Sequence, residues 1–226
     1  MSRVLPILFN TEMVRAILAG KKTETRRVMK PANPFRNREG YFQGSGLWID
    51  GYNKEDTPNG HVKDYSISSC WMPKKHYIDT YAPYKPEDIL YVRETWQYLY
   101  ELDGNEEIIK GTGKYYYVAT DSLPSGEYVD SRGSTYETVP WRPSIHMPKA
   151  AARIWLKVKE VRVEHLQDIN DDGIVAEGLQ IGDPFDELWN STIKKKDLSL
   201  YGWDANPWVW VIEFERCGKP ESEVLK

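Results

Sequence analysis

The chain opens on a short apolar run at residues 5–9, and apolar positions 13, 14, 17 and 18 then fall on one side of an α-helix. Asn10 or Thr11 stands before them with an oxygen able to cap first-turn N–H groups, and Gly20 can end the helix in a left-handed turn. Residues 31–86 are rich in Pro, Gly, Asn and Lys, show no sustained period, and read as a long loop. Alternation returns in DILYVRETW (88–96), where Leu90, Val92 and Glu94 oppose Ile89, Tyr91 and Arg93, which predicts a strand ending at a polar site.

Residues 101–140 read as a second insertion, a hairpin with KYYYVAT (114–120) as one strand and LPSGE as a turn. ARIWLKVKEVRVEHL (152–166) is the longest alternating run, with Ile154, Leu156 and Val158 on one face and Val161 and Val163 continuing after a bulge at Lys159–Glu160. NDDGIVAEGL (170–179) predicts a helix capped by Asn170 or Asp171 and stopped by Gly178, so that Glu177 is its last side chain. GDPFDELWNSTI (182–193) predicts another, with Asp183 as cap, Pro184 in the first turn, and Phe185, Leu188 and Trp189 on one face. NPWVWVIEFER (206–216) is apolar on both faces up to Phe214, as a doubly buried strand is. Strand, helix, strand, long strand, helix, helix, strand describes an α+β domain around a largely antiparallel sheet or small barrel. The expected organisation is a single domain over 1–226 with insertions at about 32–82 and 99–138.

Composition fits a modest core wrapped in polar loops: 40% of the 226 residues are hydrophobic, with nine Trp and fifteen Tyr, yet mean hydropathy is −0.63. No run approaches the ~20 apolar residues of a membrane span. MSRVLPILFNTEM lacks the apolar core and cleavage site of a signal peptide. The expectation is a cytoplasmic protein with no membrane partner, in which the sequon at Asn190 is idle. Cys70 and Cys217 form no CxxC pair, and His61, His76, His146 and His165 never fall at i,i+4, so neither a metal nor another cofactor is expected.

A net charge of −4 argues against a protein that coats nucleic acid, because such affinity comes from many cation–phosphate contacts. Locally the sign reverses: Lys21, Lys22, Arg26, Arg27 and Lys30 against Glu24 give +4 within residues 20–30. Two readings of this stretch stand side by side. As charge alone it is a solvated helix end, where cations face the negative end of the helix dipole. As chemistry, Lys22 and Thr25 on a turn three residues apart can share a face. A threonine hydroxyl needs a base, and a lysine becomes one when like charges and burial make its ammonium more acidic. Glu177 is either a surface glutamate or, disfavoured by the helix C-terminus, a proton donor. Trp96, Trp141 and Trp203 sit in polar contexts suited to stacking a base or covering a loop, whereas Trp155, Trp189, Trp208 and Trp210 fall at core-like periods.

Four segments together, ILAGKKTETRR, YKPEDILYVRETW, LQDINDDGIVAEGL and YGWDANPWVWVIEF, resemble the ASCH domain, a PUA-like β-barrel fold, in its long prophage-type form. The resemblance covers the start of the chain to about Pro31, then about 83–98 and 139–216, and leaves the two insertions outside it. It implies a small mixed barrel with peripheral helices. The short bacterial members of the family are amidohydrolases that deacetylate N(4)-acetylcytidine, and their Lys, Thr and Glu correspond to Lys22, Thr25 and Glu177 here, with a following Arg at Arg27. The implied substrate is a nucleoside or RNA-derived small molecule; Lys21 and Arg27, with Arg93, Glu94, Trp96 and His146 from the reading of the residues themselves, are the candidate binding residues. Other family members bind or cleave RNA, so a nucleic-acid module with single-stranded RNA as partner, or a phage accessory protein that has lost the chemistry, are the competing expectations.

Overall fold

The structure is a computed structural model of the chain, and it describes residues 2–29, 47–49, 61–64, 70–101, 103–105, 107–124, 128–129, 135–136 and 139–220. Lys30, most of the 32–82 insertion and the end of the LPSGE turn lie outside the described residues. The elements in chain order are β1 (Val4–Leu8), α1 (Thr11–Leu18), β2 (Glu24–Val28), β3 (Leu47–Ile49), β4 (His61–Asp64), β5 (Cys70–Pro73), α2 (Lys74–Tyr81), β6 (Ile89–Arg93), β7 (Trp96–Leu99), β8 (Lys114–Tyr117), β9 (Tyr128–Val129), β10 (Thr135–Tyr136), β11 (Trp155–His165), α3 (Asp171–Ala176), α4 (Phe185–Thr192), α5 (Leu198–Tyr201) and β12 (Trp208–Cys217). This is a mixed α+β architecture, whose five-stranded sheet is hydrogen-bonded in the order β1-β6-β11-β12-β2. Among the described residues the strand pairings do not close a barrel, and no helix is long and apolar enough to cross a membrane.

Two compact units divide the chain. The first comprises 1–21, 88–157 and 216–226. Here β1 runs parallel to β6, with Ile7 beside Val92, and β6 pairs antiparallel with the start of β11, Leu90 opposite Leu156. The sheet is therefore mixed rather than purely antiparallel. Asn10 wins the capping position over Thr11, its side chain accepting from Met13 N at 2.8 Å. Val14 and Ile17 then bury one face of α1. The expected 88–96 strand is two strands, because the chain breaks at Glu94 and Thr95; β7 leaves to pair with β8, Trp96 opposite Tyr117.

The second unit comprises 22–87 and 158–215. Its apolar centre joins Leu166, Phe185, Trp189, Val209 and Val211, with Val28, Ile169, Leu179, Ile193 and Trp203 packed against them. Burial along β11 slips by one position at Lys159 and Glu160, both exposed, before Val161 and Val163 turn inward again, as expected of a bulge. β12 is buried on both faces from Val209 to Ile212 and again at Phe214. Two expectations are corrected. Part of the supposed 31–86 loop is a three-stranded antiparallel sheet, β3-β4-β5, followed by α2; such short strands carry too few residues to show a period. In α4 the cap position belongs to Pro184, while the Asp183 carboxylate accepts from Gln180 N in the preceding turn.

Candidate active site

Both ends of the site leave helices through the same closing turn. After α1, Gly20 adopts φ +71°, with Gly20 N donating to Ile17 O and Lys21 N to Ala16 O. After α3, Gly178 adopts φ +91°, with Gly178 N donating to Val175 O and Leu179 N to Ile174 O. This is the Schellman pattern, which needs a residue without Cβ strain at its left-handed position. It delivers Lys22 just beyond one helix and holds Glu177 as the C-cap of the other. Asn170 secures the far end of α3, its side chain accepting from Gly173 N at 2.9 Å.

Between them Glu24–Val28 forms β2, not a helical turn or linker, and pairs with β12 so that Thr25 lies opposite Ile212 and Arg26 opposite Val211. β2 ends the hydrogen-bonded strand order, so one side of its backbone needs other partners. The end of α3 supplies them. Thr23 N donates to Ala176 O at 2.8 Å, the Lys22 and Glu177 backbones form an antiparallel bridge, and Arg26 N donates to Glu177 Oε1 at 2.7 Å.

Lys22 is 3% exposed, Thr25 0% and Glu177 8%. The Lys22 ammonium donates to Glu177 Oε2 in a short contact and to the Glu177 carbonyl at 3.0 Å. Glu177 Oε1 also lies 3.3 Å from Arg26 Nη1. Burial pushes the Lys22 ammonium below its ordinary pKa; the Glu177 carboxylate opposes this, and Arg27 and Arg26 add to it. Successive strand side chains face opposite ways, so Thr25 and Arg27 share the face that Glu24 and Arg26 leave. Accordingly Arg27 Nη1 donates to Thr25 Oγ1 at 3.0 Å. Arg27 is lowered by burial, against the pull of Glu177, and Tyr84 is raised by burial and lowered by Arg27.

Behind Glu177 the charges continue. Arg26 Nη1 lies 2.7 Å from Glu24 Oε1 and Nη2 lies 3.5 Å from Glu164 Oε2, while Arg162 reaches both Glu24 and Glu164. Lys22, Arg26 and Arg162 meet Glu24, Glu164 and Glu177, and a further cation, Arg27, lies beside the Thr25 hydroxyl. Such a site can hold a proton between Lys22 and Glu177 and offer a cation to an oxygen that becomes negative at Thr25.

The structure thus brings Lys22 and Glu177 into contact and sets Arg27 on Thr25. Lys21 is exposed. The other four proposed binding residues belong to the first unit, where Arg93, Glu94 and Trp96 contact that unit's own residues. Arg93 donates to Met147 O at 2.9 Å and to Ile145 O, and Glu94, 1% exposed, takes a bidentate pair from Arg153 at 2.9 Å for each oxygen. Trp96 is buried with Tyr117, Met147 and Ala151 under the Arg142 guanidinium, and His146 is exposed on the short turn Ser144–His146. Sequence reasoning counted Glu24 and Arg26 only among the charges around Lys22 and missed Tyr84, Arg162 and Glu164. Opposite charges two apart, Glu24 with Arg26 and Arg162 with Glu164, were the available signal, but two-residue spacing puts charges on one face only in a strand. Among the described residues no cluster of His, Cys, Asp and Glu could hold a metal ion. No family model, curated protein or solved structure matches the chain.

Proposed function

We propose that this protein is an amidohydrolase that removes the acyl group from the exocyclic amine of a modified cytosine nucleoside such as N(4)-acetylcytidine, on a sheet of the PUA-like ASCH type. The observation that carries the reading is the enclosed Lys22–Glu177 pair, together with a buried Thr25 whose hydroxyl receives a hydrogen bond from Arg27, a cation that also acts on Lys22 and Glu177. A strip that grips RNA phosphates needs its cations at the surface. Here Lys22 and Arg26 are buried and paired, Arg27 is half-buried, and Lys21 is the exposed one of these four.

The Lys22–Glu177 ion pair becomes a neutral amine and a neutral acid when the ammonium hands its proton to the carboxylate, a transfer that burial of Lys22 assists. In that form Lys22 accepts the Thr25 Oγ–H proton as Oγ1 attacks the acyl carbon. The carbonyl π electrons move to its oxygen, where Arg27 stabilises the negative charge. Collapse of the tetrahedral centre restores the carbonyl and breaks the C–N bond, and Glu177 gives the departing amine its proton. The ammonium of Lys22 and the carboxylate of Glu177 remain, and returning the proton from Lys22 to Glu177 resets the neutral pair. Water, losing a proton to Lys22, then attacks the threonyl ester; the C–Oγ1 bond breaks, Lys22 returns that proton to Thr25 Oγ1, and the acyl group departs as a carboxylic acid.

Incubation with N(4)-acetylcytidine, followed by ultraviolet absorbance and chromatography of cytidine, tests this. Turnover that drops at least ~100-fold, the lower end of general-base contributions, in both Lys22→Ala and Thr25→Ala is expected. No turnover by the wild type, or turnover indifferent to both substitutions, would end the proposal.

A further inference from the structure

We infer that Arg26, which the catalytic reading leaves unused, is a positioning residue that holds the Glu177 carboxylate in place against Lys22, and that Glu24, Glu164 and Arg162 exist to hold Arg26. This rests on the amidohydrolase reading for its meaning in turnover, but its structural content is independent of it.

The geometry is asymmetric about the carboxylate. Glu177 Oε2 faces Lys22, whereas Oε1 takes two donors from a single residue, the Arg26 backbone N–H at 2.7 Å and Nη1 at 3.3 Å. One residue thus fixes the oxygen that does not meet the lysine, and the direction of the other follows. The Arg26 side chain is 2% exposed and its guanidinium meets Glu24 and Glu164 as well as Glu177. Arg162 ties Glu24 to Glu164 across the sheet: β2 and β11 are second neighbours in the strand order, a separation of roughly 10 Å that only long side chains span. Three carboxylates around one arginine exceed what neutralising it requires. They set its orientation.

The helix side gives a second observation. A Cβ at Gly173, in the first turn of α3, would come within 3.0 Å of Arg26 Nη2 and 3.0 Å of Ile169 Cγ1. Glycine in a helix is unfavourable by roughly 1 kcal/mol relative to alanine. Its presence lets α3 lie against the guanidinium, and α3 carries Glu177 at its end. Arg26 therefore spaces the helix from the strand and aims its terminal side chain.

The groups that face the Lys22 ammonium are Glu177 from the end of α3, and Arg26 and Arg27 from β2, with Glu24, Glu164 and Arg162 one step removed. Releasing the Glu177 carboxylate from Arg26 weakens the pull that keeps the proton on Lys22, a pull larger than the push of the Arg26 charge, so Lys22 gives up its proton at lower pH. The test is lysine-selective NMR titration of the folded protein, with the Lys22 signal assigned through Lys22→Met, combined with pH–rate profiles on N(4)-acetylcytidine. In Arg26→Met the Lys22 midpoint moves downward, kcat falls roughly 100-fold, as for a misplacement of about 1 Å, KM changes little, and the rising limb of the profile moves the same way; Arg26→Lys recovers part of the rate. Gly173→Ala keeps the charge, shifts the Lys22 signal and lowers kcat at least about tenfold.

An unmoved Lys22 midpoint in folded Arg26→Met, or the upward shift that loss of the charge alone gives, overturns the inference whether or not the wild type turns over. Should Arg26→Met not fold, Gly173→Ala decides, and a wild-type Lys22 signal there overturns it. Absence of wild-type turnover refutes the proposed activity alone, since the titration still reads the positioning.

Discussion

Replacing Glu177 by glutamine tests whether the Lys22–Glu177 pair is a buried, coupled unit. Gln keeps an oxygen for Arg26 N, so the edge of β2 stays capped, and the backbone bridge to Lys22 survives. What disappears is the negative charge between Lys22 and Arg26, with the Lys22 side chain 0% exposed. Removing one partner of a buried pair costs about 3–5 kcal/mol because the other charge is stranded. The lower end, about 3 kcal/mol, applies here, since the Glu177 carbonyl still accepts from the ammonium at 3.0 Å. Lys22→Met leaves Glu177 with its Arg26 donors and should cost about 2–3 kcal/mol. The double variant should then lose only about 3 kcal/mol, a coupling of roughly 2–3 kcal/mol. Urea unfolding followed by circular dichroism measures all four corners; at m near 2 kcal/mol/M, Glu177→Gln lowers the midpoint by about 1.5 M. A cost below about 1 kcal/mol for Glu177→Gln, with additivity within about 0.5 kcal/mol, would refute the reasoning.

Three further outcomes follow from the same structure. Because Lys22 titrates below its ordinary 10.5 in the native state, the unfolded chain binds more protons between the native value and 10.5, so this group's contribution to stability rises with pH across that window. In Glu177→Gln the carboxylate's opposition is gone, the rise starts at lower pH, and it vanishes again in the double variant with Lys22→Met; unfolding curves from neutral to alkaline pH measure this. Burial holds the Tyr117 phenol up at about 12 against an ordinary 10.0, so its contribution is complete below pH 10.0 and is lost as pH rises toward 12. Tyr117→Phe, which forfeits the 2.7 Å bond to Ala151 O, should be about 1 kcal/mol less stable at pH 8, with the deficit closing above pH 10, as alkaline unfolding scans will show. A Cβ at Gly202 would meet the Leu198 backbone carbonyl at 2.6 Å and Asn190 Oδ1 at 3.1 Å, so Gly202→Ala should cost about 1–3 kcal/mol and lower the melting temperature by several degrees.

Much of the local structure was legible along the chain. Asn10 and Asn170 cap helices, Gly20 and Gly178 close them, and Val209 to Ile212 and Phe214 are buried as their apolar pattern on both faces requires. The sequence also singled out Lys22 and Glu177, which the fold brings together across 155 positions. β2 was not legible. ETRRV has no apolar alternation and reads as a charged helix end, yet it is a strand because β12 bonds one side of it and the end of α3 the other. Trp96 likewise stands in a polar context but is buried, because β7 folds it against Tyr117 and Met147.

Caps, stops and periodicity act through bonds between residues a few positions apart, so the order of side chains alone determined where the helices α1 and α3 begin and end and that the last strand is buried. Which charges meet is another matter. A buried cation is tolerated only where a carboxylate reaches it, and whether Glu177 reaches Lys22 and Arg26, or Arg162 reaches Glu24, depends on packing among segments more than a hundred residues apart. That packing, and not the +4 charge of residues 20–30, turned a stretch that reads as a solvated helix end into an enclosed lysine, threonine and glutamate.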